Sequence, residues 1–190
     1  MSIDPSAPSA YVSPGLPERP LRGKVIGFTG TRRPLAHPQA ELVITTLTGL
    51  RKIRGFVTGG CTGIDTSVGR WLAWVYPQVP QIVFLPADRS RVVNWWDPLL
   101  ADWDAEEEGR PAPRIVAVPV PGSYADRNAA IVAKSDVVVG FPAYAEQHPA
   151  RRRSGSWQTL RMARSAGLVT HPIVLETKRI LKQHVDHETS

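Results

Sequence analysis

Lys24 to Arg32 reads KVIGFTGTR, a short run of β-branched and aromatic residues that breaks into a glycine turn. Apolar residues bounded by glycine over so short a span describe a buried strand, Lys24 to Thr29. Beyond the turn at Gly30 to Pro34, Val43, Leu47, Leu50 and Ile53 recur at helical spacing. The alternation then repeats. Gly55 to Thr58 reads as a strand, Gly59 to Gly63 as a glycine turn, and Ile64, Val68, Trp71, Leu72 and Val75 as one face of a helix that Pro77 ends. Gln81 to Leu85 is a third strand, Arg114 to Val118 a fourth and Asp136 to Phe141 a fifth, the last so apolar that both its faces should be covered. Short helices are expected over Arg127 to Lys134 and Ser156 to Ala166, the second ended by Gly167, with a sixth strand over Pro172 to Leu175. Parallel strands need crossovers, and the helices supply them. The expected architecture is a three-layer Rossmann-like α/β fold with a mainly parallel sheet of about six strands.

The chain has 190 residues, enough for one domain with a proper core. We place that domain at residues 23–177, between a proline- and serine-rich tail without fold at 1–22 and a charged tail or short helix at 178–190. Residues 86–113 have no clean period; they hold Trp95, Trp96, Trp103 and the acidic Glu106 to Glu108, and are expected to cap a site or to contain a short helix. The tryptophans are read as packing residues, with base stacking as the alternative. No apolar run approaches the roughly 20 residues of a membrane span, so no membrane partner is expected. The single cysteine, Cys61, excludes an intrachain disulfide and suits a reducing cytoplasm. A formal charge of +6 favours anionic ligands, but the basic residues are scattered, and their densest cluster is Arg151, Arg152 and Arg153. No histidines or cysteines stand at metal-ligand spacing, so no metal and no obligatory cofactor is expected.

In an open parallel sheet the ligand sits beyond the carboxyl ends of the strands. Four turns there carry the chemistry. Thr29-Gly30-Thr31-Arg32 offers backbone amides and a guanidinium to an anion, or is an ordinary tight turn. Gly59-Gly60-Cys61-Thr62-Gly63-Ile64-Asp65 opens a helix and reads as a phosphate cradle, although it is neither GxGxxG nor a P-loop. Its Asp65 accepts from a ribose hydroxyl or favours the helix start; Cys61 is a passive turn residue or a thiol activated by the helix. In Tyr124-Ala125-Asp126-Arg127-Asn128, Arg127 and Asn128 are set to hold phosphate and a base edge or sugar, against a plain helix start with a surface ion pair. Ser154-Gly155-Ser156-Trp157-Gln158-Thr159 repeats the anion-binding logic at the last helix, where Ser156 also suits a cap.

Read in order, these turns resemble the SLOG superfamily, the Rossmann-like group that includes lonely-guy phosphoribohydrolases and the DNA-processing protein DprA. The matching stretches are GFTGTR at Gly27 to Arg32, VTGGCTGID at Val57 to Asp65, DRNAAIVAKSDVVVGFP at Asp126 to Pro142 and SGSWQT at Ser154 to Thr159. The FLPAD stretch at Phe84 to Asp88, with Pro86, and the Arg127-Asn128 pair are most similar to the small YAcAr-like nucleotide branch. The resemblance implies a ligand site built from Thr29, Gly30, Thr31, Arg32, Gly59, Gly60, Thr62, Gly63, Asp65, Pro86, Arg127, Asn128, Ser154, Gly155, Ser156 and Thr159. It also implies a homo-oligomer. The lonely-guy signature is similar to PGGxGTxxE, but its glutamate position falls here on Thr159, which supplies no carboxylate. Arg127, Asp65 and Asp126 remain as candidates for catalysis, with Asp88 a further carboxylate. The expected function is binding of a nucleotide or phosphorylated ribose derivative, as sensor or carrier. The alternatives are a nucleoside 5′-monophosphate hydrolase and a DprA-like binder of single-stranded DNA, the latter ranked lower because no basic stripe is present.

Overall fold

The computed structural model describes residues 21–100, 111–149 and 154–175. Among the described residues the elements with defined bounds are, in order, β1 (Val25–Gly30), α1 (His37–Thr48), β2 (Gly55–Thr58), α2 (Ile64–Val75), β3 (Gln81–Leu85), β4 (Ile115–Pro119), α3 (Tyr124–Lys134), β5 (Val137–Phe141), α4 (Gly155–Ser165) and β6 (Val169–Pro172). Every strand pair is parallel, in the order β4-β3-β2-β1-β5-β6. The sheet is therefore wholly parallel, and the Rossmann-like α/β expectation holds.

Side-chain alternation along β5 shows how both of its faces are covered. Val137, Val139 and Phe141 join a core with Phe28, Phe56 and the inner faces of α1 and α2, while Val138 points to Val132, Trp157 and Leu160 of α3 and α4. All five β5 residues are buried, because helices cover both faces. Gly140 presents no side chain to α4, and a Cβ there would stand 2.7 Å from Leu160 Cδ1. The helix thus packs directly on the strand.

Several boundaries differ from the sequence reading. α1 ends at Thr48, and Leu50 and Ile53 reach the core from the connection that follows, where Lys52 has φ +53°. α3 begins three residues earlier than expected because Ser123 caps it, its hydroxyl accepting from the amides of Ala125 and Asp126. β6 lies at Val169–Pro172, ahead of the expected position. Pro172 has no amide to continue the ladder, yet Ile173 and Leu175 still donate to the carbonyls of Gly140 and Pro142 at 2.7 and 2.9 Å. Leu21, assigned to the N-terminal tail, is only 2% exposed and belongs to the core. Residues 1–20 of that tail, Trp103, Glu106 to Glu108, Arg151 to Arg153 and the expected C-terminal segment lie outside the described residues. No helix among the described residues is long and apolar enough to cross a membrane.

Leu160→Ala should remove the contact between α4 and β5 and leave a cavity, at a cost of about 2–5 kcal/mol in the midpoint of denaturant unfolding. An unchanged midpoint would show that α4 is not part of the cooperative core.

Candidate functional site

The strand order reverses between β1 and β5. From β1 the chain adds β2, β3 and β4 on one side, then returns through α3 to place β5 on the other. The loops after β1 and β5 consequently diverge and open a crevice at the carboxyl edge of the sheet. Its volume is about 290 Å³, and its walls are Thr29 to Arg33 after β1, Asp65, Arg127 and Asn128, Ala143 and Tyr144 after β5, and Ser154 to Ser156 at the start of α4. Three of the four expected turns meet here directly. The fourth contributes through Asp65 alone.

Gly59 to Ile64 of that turn do not line this crevice. Three of its amides are already taken: Cys61 donates to Asp65 Oδ2 at 3.3 Å, Thr62 to the Arg91 carbonyl at 3.1 Å, and Ile64 to the Thr31 carbonyl at 3.0 Å. Arg91 belongs to the connection after β3, and Val93 closes the same loop by donating to the Gly60 carbonyl. Residues 86–93 thus brace the glycine turn, and a short helical stretch begins at Trp96. Gly59 is small for a different reason than ligand approach, since a Cβ there would fall on the Arg127 guanidinium. Gly30 likewise makes room for the Ile64 side chain, and Gly60 packs against Val83 and Leu85. Thr62 and Gly63 face an apolar groove of about 530 Å³ between α1 and α2, lined also by Leu35, Val43, Ile44 and Trp71. That groove is larger, but Arg32 is the one charged group on its wall.

At the back of the crevice lies a buried ion pair. Arg127 Nη1 donates to Asp65 Oδ2 at 3.1 Å, and Nη2 donates to Cys61 Sγ at 3.4 Å. Arg127 and Asp65 are 4% and 6% exposed, and Arg127 Nε has no protein partner among the described residues. Burial pushes the Asp65 carboxyl above its ordinary value, opposed by the guanidinium and by the Cys61 amide. Burial, reinforced by the charge of Asp65, also raises the Cys61 thiol. Cys61 is therefore not an activated nucleophile, in keeping with its reading as a passive turn residue.

The mouth carries two arginines held against aromatic rings. Arg32 lies 4.5 Å from the centroid of Tyr124, and Arg33 lies 5.2 Å from that of Tyr144. On the opposite wall Ser154 caps α4 by accepting from the Trp157 amide, and its hydroxyl shares a 2.8 Å hydrogen bond with that of Ser156. Helix geometry leaves the amides of Gly155 and Ser156 without intrahelical acceptors. Asn128 is buried and donates to Gln158 at 3.4 Å.

The remaining expected residues stand outside the crevice. Thr159 is fully buried beneath it, donating to the Gly155 carbonyl at 3.0 Å and accepting from Thr29 at 3.4 Å. Pro86 is buried at the end of β3 and is not on the wall. Asp126 is occupied in the cap of α3, where the amide and hydroxyl of Ser123 donate to it at 2.6 and 2.8 Å and hold its carboxyl below the usual range. Asp88, bound by Ser90, is lowered in the same way. Neither carboxylate lines the crevice. Among the described residues no group of three or more histidine, cysteine or acidic side chains could hold a metal. Trp95, Trp96 and Trp157 are buried and pack, as the sequence reading favoured. Arg33 and Tyr144 were missed, because an exposed arginine and a tyrosine in a polar loop carry no periodic signal.

No family model matches the chain, and no curated protein does. Among solved structures it is similar to DNA processing protein A from Helicobacter pylori, described for its single-stranded DNA binding mode. That likeness has 20% identity over 86% of this chain and 74% of the other, with a TM-score of 0.49. It is a likeness of fold, and no residue role is carried across.

Asp65→Ala should leave the Arg127 guanidinium buried without its counter-charge and cost about 3–5 kcal/mol in denaturant unfolding, against about 1 kcal/mol for the cap variant Ser123→Ala. Equal effects would mean that the ion pair is not structural. Because the folded state lowers the Asp126 carboxyl, its contribution is present above the ordinary carboxylate range and is lost as pH falls through the depressed value. Ser123→Ala removes the hydroxyl donor and keeps the stronger amide one, so it should flatten that part of the acid-unfolding profile only in part.

Proposed function

We propose that the crevice between the β1 and β5 loops binds a small phosphorylated ligand of the nucleotide or ribose phosphate class. The observation that carries this reading is the excess of cationic over anionic groups in one crevice: Arg32, Arg33 and Arg127 face it together with a single carboxylate, Asp65. The free amides at the start of α4 add partial positive charge on the opposite wall. The volume of about 290 Å³ lies near the lower end of pockets for small molecules, roughly 300–1,000 Å³. Thr159, buried and hydrogen-bonded, provides no acid for cleavage of a glycosidic bond, which favours binding over hydrolysis.

A second reading, single-stranded nucleic acid, draws on the rim. Arg32 beside Tyr124, and Arg33 beside Tyr144 with its ring stacked on His148, put positive charge and aromatic rings side by side, the groups that single-strand binders combine.

Calorimetry with inorganic phosphate, ribose 5-phosphate and the common ribonucleoside 5′-monophosphates separates these readings. The proposal expects saturable binding to at least one phosphorylated sugar, weakened about tenfold or more by Arg32→Ala. Salt dependence should be shallow, as for one or two neutralised phosphates. Heat from none of these ligands would overturn the proposal. Binding that grows with oligonucleotide length, with a salt slope of about 0.7 per contacted phosphate, would move the assignment to the second reading.

A further inference from the structure

Basic residues are scattered along the sequence, but the fold collects a group of them at the amino edge of the sheet, opposite the crevice. Three chain segments meet there. The Gly23 amide donates to the Lys52 carbonyl at 2.8 Å, the Arg54 amide to that of Lys24 at 2.9 Å, and the Asp136 amide to that of Val25 at 2.8 Å. Arg22, Lys24, Arg51, Lys52, Arg54 and Lys134 thereby share one surface, all of them exposed. The acid within segments 21–25, 50–54 and 134–136 is Asp136, and Arg54 pairs with it at 3.0 Å. Part of the positive charge has a local purpose. Arg51 donates to the carbonyls of Thr48 and Leu50 after α1, and Lys134 stands in the last turn of α3, where a cation complements the helix dipole. Among the described residues no side-chain hydrogen bond or ion pair engages Arg22, Lys24 or Lys52.

Apolar groups flank these cations. The Tyr76 hydroxyl donates to the Leu50 carbonyl at 2.9 Å, which sets the end of α2 beside Arg51, and the two residues before Tyr76, Trp74 and Val75, are 47% and 42% exposed. Cations alone would suit any polyanion. An indole and an aliphatic side chain beside them suit a surface where anionic headgroups cover an apolar layer, whereas the phosphates of a nucleic acid give Val75 nothing to bury against. We propose that the amino edge of the sheet is a docking surface for an anionic membrane. Because the strands are parallel, the crevice at their carboxyl ends then opens away from the bilayer and stays accessible. The expectation of no membrane partner rested on the length of a spanning segment, which a peripheral contact does not need.

Co-sedimentation of the full chain with lipid vesicles tests this. The protein should bind vesicles of equal parts phosphatidylserine and phosphatidylcholine, bind phosphatidylcholine alone about tenfold or more weakly, and be released by salt. Lys24→Gln combined with Lys52→Gln should weaken binding about twentyfold, since each cation near an anionic leaflet is worth about fivefold, and Trp74→Ala should weaken it as well. Both lysines are exposed, so their replacement should leave the thermal midpoint in place. Arg32→Ala, in the crevice, should leave vesicle binding as it is, which keeps this surface distinct from the ligand site. No binding to the anionic vesicles, equal binding to both kinds, or full affinity in either the lysine or the tryptophan variant would each overturn the proposal. An oligonucleotide that binds the wild type and not the lysine variant, in a protein that ignores vesicles, would overturn it in favour of nucleic acid.

Discussion

The contact between Arg127 and Asp65 ties the first half of the chain to the second. Asp65 begins α2, Arg127 lies in the first turn of α3, and 62 positions separate them along the chain. Two charges withdrawn from water are costly unless each is paired and hydrogen-bonded, and much of the local sequence answers that requirement. Gly59 clears the space for the guanidinium, the Cys61 amide and sulfur complete the polar shell, and Ser123 fixes where α3 starts. The pair also decides which way the crevice wall faces.

Around it the backbone closes without using a ligand. The Thr31 amide donates to the Phe141 carbonyl, and the Thr31 carbonyl accepts from Ile64. The β1 turn therefore clasps β5 on one side and α2 on the other. The positive end of α2 is spent on this clasp, while Gly155 and Ser156 at the start of α4 stand on the crevice wall.

Most of the architecture was legible because it rests on local pattern. β2 and β3 lie where the apolar runs between glycine and proline place them, and the unbroken apolarity of β5 reports its coverage by helices on both faces. β6 was misplaced because it is an edge strand with Val169 half exposed, so burial leaves little mark on its sequence. The site was legible only in part. Arg32, Asp65, Arg127, Asn128, Gly155 and Ser156 are brought together as the turn positions imply. The glycine turn looked like a phosphate loop because glycine density marks any close approach, whether of a ligand or of a buried guanidinium. Arg91 and Val93, which bond the Thr62 amide and the Gly60 carbonyl, come from a segment without period, and no local rule connects them to the turn.

The stacking of Arg32 on Tyr124 and of Arg33 on Tyr144 has an energetic meaning of its own. A free arginine side chain surrenders up to about 2 kcal/mol of rotamer entropy when a ligand immobilises it. Here the rings restrain both side chains before anything arrives. Much of that loss falls on folding rather than on any later binding event.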